Sequence, residues 1–200
     1  MAKGRQDLML RDRMEFTFDG NGDINTLYGR VDLSDYVSVL NSDGLAIKEV
    51  RWQLRDPNRA DTGMLNPVLC NVVDGNLDFP DTFAGIKIWA CTVAYQSAVD
   101  VGIGSPNVIA LEEKYTRTVP AQNAGTVAGG TFMAGREWYG TLDLHPEGYT
   151  VVTDMLIGVA ANNCTAIADG TLQLDIQIIA EPVSITKGRL EEMLAQGSDL

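Results

Sequence analysis

Histidine occurs once in these 200 residues, cysteine three times and lysine five times, and each scarcity closes off a class of chemistry. Any Ser-His-Asp or Cys-His device would have to use His145, which precedes Pro146 in a turn-like segment, and no GxSxG elbow marks a nucleophile. Cys70, Cys91 and Cys164 are odd in number and widely spaced, which suits neither a disulfide framework nor a zinc knuckle. They are expected to be reduced and buried. No apolar run reaches the roughly 18 residues of a membrane span, and none near the start has the form of a signal peptide. The expectation is a chain made in the cytoplasm and not secreted by a signal peptide.

Positive charge is also short. The formal net charge is −12, so the bulk of the globule should repel nucleic acid. The exception is the first thirteen residues, where Lys3, Arg5, Arg11 and Arg13 face only Asp7 and Asp12. Apolar and basic side chains mix there without a clear period. The sequence therefore predicts an N-terminal arm over 1–13, a single folded domain over 14–182 and a C-terminal tail over 183–200.

What the chain has in quantity is two-residue periodicity. In Thr171–Ala180, the residues Leu172, Leu174, Ile176, Ile178 and Ala180 alternate with Thr171, Gln173, Asp175 and Gln177, which predicts a strand with one face in a core. Pro182 should stop its pairing. Met14, Phe16 and Phe18 predict another strand, Asp19-Gly20-Asn21-Gly22 a turn, and Leu27, Val31 and Leu33 the next strand. Between Leu45 and Leu54 the alternation slips by one, which predicts a β-bulge near Lys48 and Glu49. Val68–Val73, Val108–Tyr115, Glu137–Leu144, Tyr149–Thr153 and Asp154–Ala161 complete the predicted strands, together with Ile86–Tyr95. This last run is apolar on both faces, as a central strand would be beneath an opposing sheet and under a loop, helix or neighbouring subunit. Arg55–Asn66 and Thr118–Gly135 read as long loops. A short helix over Thr186–Gln196, capped by Gly197, carries Leu190, Met193 and Leu194 on one stripe. That stripe either docks on its own domain or bridges to a neighbour. Eight or nine strands, few helices and frequent Gly, Asn and Asp turns indicate an all-β antiparallel sandwich or barrel.

Motifs with chemical content fail on inspection. Asp19-x-Asn21-x-Asp23 opens like a calcium loop, but Ile24 stands where glycine is needed and Arg30 where the bidentate glutamate belongs. Gly102-Ile103-Gly104 lacks the third glycine of a dinucleotide loop, having Asn107 instead. Glu112 and Glu113 are adjacent on a strand, so their carboxylates diverge and cannot serve one substrate as an acid/base pair. Trp52, Trp89, Trp138 and Tyr139 suit either core filling or a sugar-stacking platform. No catalytic, cofactor or metal residues are assigned.

The basic arm, about eight strands across Met14 to Glu181, the two long loops and the terminal helix together resemble the single jelly-roll coat proteins of icosahedral viruses, particularly tailless viruses of archaea and bacteria. The resemblance implies a jelly-roll sandwich and a non-enzymatic virion subunit that builds an icosahedral shell through loop and terminal-arm contacts. Its implied partners are copies of itself and other virion proteins. Leu190, Met193 and Leu194 would be assembly contacts, and Lys3, Arg5, Arg11 and Arg13 an inward-facing arm, through which alone nucleic acid or an inner membrane would be reached. The arm is weakly basic for a genome-neutralising coat. The alternative is a carbohydrate-binding or adhesion sandwich such as a phage spike or fibre component; a small β-sandwich enzyme relying on His145 is a third reading.

Overall fold

A computed structural model describes residues 7–59, 61–71, 81–120, 130–139 and 148–198. Among these are nine strands: β1 (Leu8–Thr17), β2 (Ile24–Val31), β3 (Asp43–Arg55), β4 (Thr82–Cys91), β5 (Val108–Pro120), β6 (Gly130–Tyr139), β7 (Tyr149–Val151), β8 (Met155–Asn162) and β9 (Thr171–Ser184). A C-terminal helix, α1, spans Lys187–Ser198. The strands form two antiparallel sheets, ordered β1-β9-β3-β7 and β2-β8-β4-β5-β6. β1 pairs with β9, β2 with β8, β3 with β7 and β4 with β5, each pair nested inside the one before. Nested pairing of this kind results when one long hairpin is wound into two facing sheets, which is the jelly-roll sandwich. β6 is an additional strand laid beyond β5.

β9 organises the first sheet, because β1 lies on one side of it and β3 on the other. Its Leu172, Leu174, Ile176, Ile178 and Ala180 are all buried in the core between the sheets. Each such Leu or Ile side chain stabilises by about 1.5–3 kcal/mol through loss of water contact. Facing them from the second sheet are Ala84, Ile86, Ile88, Ala90, Ile157 and Val159. The expected bulge in β3 is present: register shifts between Ile47 and Glu49, which lets Leu45 and Ile47 before it and Val50, Trp52 and Leu54 after it all point inward.

The two apolar faces of β4 also have distinct partners. Ile86, Ile88 and Ala90 enter the main core, whereas Trp89 and Cys91 lie on the outer face with Val101 and Leu111. The cover is supplied by the chain's own 92–107 connection. Lys87 Nζ donates to the carbonyls of Ala98 (3.0 Å) and Val101, pinning the short 3-10 turn at Ala98–Asp100, and Tyr28 Oη donates to Tyr95 O at 3.1 Å. The Trp89 ring crosses Gly158 on β8, where an ideal Cβ would fall 2.0 Å from Trp89 Cε2. Only glycine leaves room for it.

Several boundaries differ from those the sequence predicts. β1 begins at Leu8, so Arg11 and Arg13 lie in the sheet and not in an arm; Lys3 and Arg5 are outside the described residues. Alternation in Leu8, Leu10, Met14 and Phe16 is hidden in the sequence because Asp12 occupies the same parity. β9 continues through Pro182, which sits opposite Leu45. Among the described residues the β1 ladder reaches only Leu8 opposite Ala180, so Pro182 has no described partner there to which an N–H would be owed. The sandwich therefore extends over Leu8–Ser184, beyond 14–182 at both ends.

Val68–Asn71 is not a strand, and 72–73 fall outside the described residues. Leu69 and Cys70 are apolar because they plug the core: Leu69 N donates to Thr116 Oγ1, whose hydroxyl donates to Pro67 O. The predicted 118–135 loop is strand at both ends, in β5 to Pro120 and in β6 from Gly130, since small residues pair through their backbone as readily as large ones. β6 is described to Tyr139, and 140–144 of the predicted Glu137–Leu144 strand lie outside the described residues. The helix runs through Gly197 to Ser198.

Candidate assembly surface

Thr186 starts α1 by accepting from Arg189 N through its hydroxyl (3.4 Å) and from Leu190 N through its carbonyl (2.9 Å). The predicted stripe is divided by what it touches. Leu190 is 6% exposed, whereas Leu194 is 40% exposed. Met193 and Leu194 border an open cavity of about 460 Å³ whose opposite wall includes Tyr149, Val152, Leu156 and Asn107. The helix is thus held to its own domain through Leu190 and leaves part of its apolar stripe uncovered. Arg189 and Glu192 pair at 2.9 Å on its solvent side.

Arg11 and Arg13 lie on the outer face of the first sheet, beside Arg51 and Arg55 of β3. Asp175 of β9 is bracketed there by Arg13 at 2.5 Å and Arg55 at 3.4 Å. The hydrogen bond from Arg13 and its charge hold the Asp175 carboxyl below its ordinary value. Arg51 pairs with Glu49. This face carries a balanced mosaic of charge on an otherwise acidic molecule.

The most concentrated electrostatic feature is one that sequence periodicity does not reveal. Glu112 points from β5 into the sandwich and is almost fully buried. Its carboxylate accepts from Arg136 Nε (2.8 Å) and Nη2 (2.9 Å), from Trp52 Nε1 (2.6 Å) and from Lys114 Nζ (2.9 Å). Burial pushes the carboxyl upward, but the hydrogen bonds from Arg136 and Lys114, the Lys114 charge and the Trp52 indole outweigh it, and the group lies below its usual range. Trp52 belongs to the opposite sheet, so the cluster ties the two layers together at the β5–β6 end. Glu113, pointing outward, faces Lys87 at 3.7 Å. The two carboxylates diverge as predicted.

The remaining candidates fall into structural places. Trp89 and Trp52 are buried, and Trp52 packs on Trp138 with ring centroids 4.9 Å apart, so the aromatics do not form one exposed platform. Asp19 Oδ1 accepts from Asn21 N and Asp23 N, and Asp23 Oδ1 accepts from Asn163 N, which is the geometry of a turn locked to its neighbour. Asn107 adopts a positive φ of 63° in the Gly102–Asn107 loop, and Ser105 Oγ ties Gly102 N to Asp100 O. Cys70, Cys91 and Cys164 are free and buried; burial pushes the Cys91 thiol up to about 11 and the Cys164 thiol up to about 12. His145 lies outside the described residues. No protein-family model and no curated protein matches this chain.

Proposed function

We propose that this protein is a virion structural subunit, a self-assembling coat protein whose sandwiches pack side by side into an icosahedral shell. The observation that carries the reading is the jelly-roll winding, nested strand pairs closed by a terminal helix whose apolar stripe is only partly used within the chain. A well-filled core gives each subunit a rigid block, and function then falls to its surfaces. Leu194, with the adjoining wall of the 460 Å³ cavity, offers apolar area to a neighbour. The basic residues of β1 stand in a charge mosaic on the sheet face, which suits contact with another protein better than neutralisation of a genome.

Light scattering after size exclusion, with negative-stain microscopy of any large fraction, tests the reading. Shells or capsomer-like rings are expected, and deletion of 186–200 should leave a folded domain that no longer assembles. Folding should survive because Leu190 lies outside the main core cluster. A protein that stays monomeric across salt and concentration refutes the proposal.

A further inference from the structure

The four sheet edges are unequally protected. An open strand edge templates another strand unless it is short, charged, bulged or covered. β1 carries Arg11, Asp12, Arg13 and Glu15. β7 is three residues long, and β2 has a register break between Ile24 and Leu27. Among the described residues β6 is the least protected: it ends its sheet, runs for ten residues, keeps unbroken register with β5 from Leu111 opposite Tyr139 to Pro120 opposite Gly130, and has charge as its one device. Of its two charged residues, Arg136 is engaged by Glu112, leaving Glu137. On its outer face Met133 is 53% exposed, with Tyr139 and, on β5, Val119 exposed on the same face, and on its other face Phe132 is 45% exposed.

We infer that β6 is an interface between two copies of this chain, pairing antiparallel with its own symmetry mate across a two-fold axis at Gly135. The inference rests on the self-assembly reading and specifies one of its contacts. A two-fold axis perpendicular to the sheet keeps each face with itself, so facing residues must share parity and the axis must fall midway between the two copies of one residue. An axis at Arg136 or Glu137 sets like charges on each other. An axis at Ala134 sets Phe132 against Arg136 and leaves Tyr139 beyond its described partners. Gly135 is the position that sets Phe132 opposite Trp138, Thr131 opposite Tyr139, Ala134 opposite Arg136 and Met133 opposite Glu137. It also has the necessary shape. The Tyr115 ring lies over Gly135, where an ideal Cβ would fall 2.4 Å from Tyr115 Cζ, so two Tyr115 rings flank the axis on the outer face and shield its backbone.

Sedimentation velocity of the full chain over a concentration series tests this with Met133→Glu and with Met133→Glu/Glu137→Lys. The single variant places a carboxylate opposite Glu137 of the mate at two related positions and should weaken dimerisation by about tenfold or more. The double variant restores opposite charges and should recover most of the loss. Both positions are exposed, and Met133 faces Arg117 within its own sheet, so circular dichroism should remain that of the parent. Unchanged dimerisation of the single variant, a double variant that fails to recover, or a parent with no dimer at any concentration overturns the inference. Microscopy separates the two proposals: shells built by Met133→Glu as by the parent overturn the β6 contact but leave the shell reading, whereas parental dimers that never grow further overturn the shell reading and leave the contact.

Discussion

Replacing Glu112 by glutamine keeps the volume of the side chain and removes its charge, at the point where the two sheets are joined through Trp52. The carboxylate serves four donor contacts, from Arg136 Nε and Nη2, Lys114 Nζ and Trp52 Nε1. A hydrogen bond to a charged group contributes about 1.5–3 kcal/mol and a neutral one about 0.5–1.5, so each retained donor loses roughly 1 kcal/mol, and the amide's own N–H₂ must face one of them. The Arg136 side chain is 54% exposed and can turn to water, so its share is discounted. The expected cost at pH 7 is about 2–3 kcal/mol, or roughly 4–12 °C in Tm for a domain of this size. Because the folded carboxyl lies below its ordinary value, its stabilisation is complete above the unfolded-state pKa of about 4.3 and is lost as pH falls through the folded value. Parent and variant should therefore differ by a constant amount at neutral pH and converge in acid. Urea unfolding followed by tryptophan fluorescence from pH 7 to pH 3 measures the difference. A gap below about 0.5 kcal/mol at pH 7, or one that widens on acidification, refutes the reasoning.

Gly158→Ala should destabilise by about 1–3 kcal/mol, because its Cβ would occupy the place of the Trp89 ring; loss of the near-ultraviolet tryptophan signal and a lower Tm would register it, and a neutral result would show that the ring is free to move. Ellman's reagent at pH 8 should react slowly with the native protein and with three thiols after denaturation, since Cys70, Cys91 and Cys164 are buried and their pKa values are raised; fast stoichiometric reaction of a native thiol contradicts this.

Strand content was legible in the sequence where apolar and polar residues alternate cleanly between a buried and a wet face. β9 alternates because its outer face meets solvent and its inner face the opposing sheet, and the slip in β3 was readable because a bulge leaves a one-residue phase error. The adjacency of Glu112 and Glu113 likewise fixed their divergence. Periodicity failed where burial has another cause. Leu69 and Cys70 are apolar as a plug, the Gly- and Ala-rich end of β6 has little pattern to show, and Asp12 masked the start of β1. Only the tertiary structure decided which strands pair, that β4 is covered by its own loop, and that Glu112 meets Trp52, Arg136 and Lys114, residues 60, 24 and two positions away in the chain. It also decided which strands stand at the ends of the two sheets among the described residues. Local alternation reports how one residue meets water, whereas pairing order and edge exposure depend on contacts between segments far apart in the chain, which no local pattern encodes.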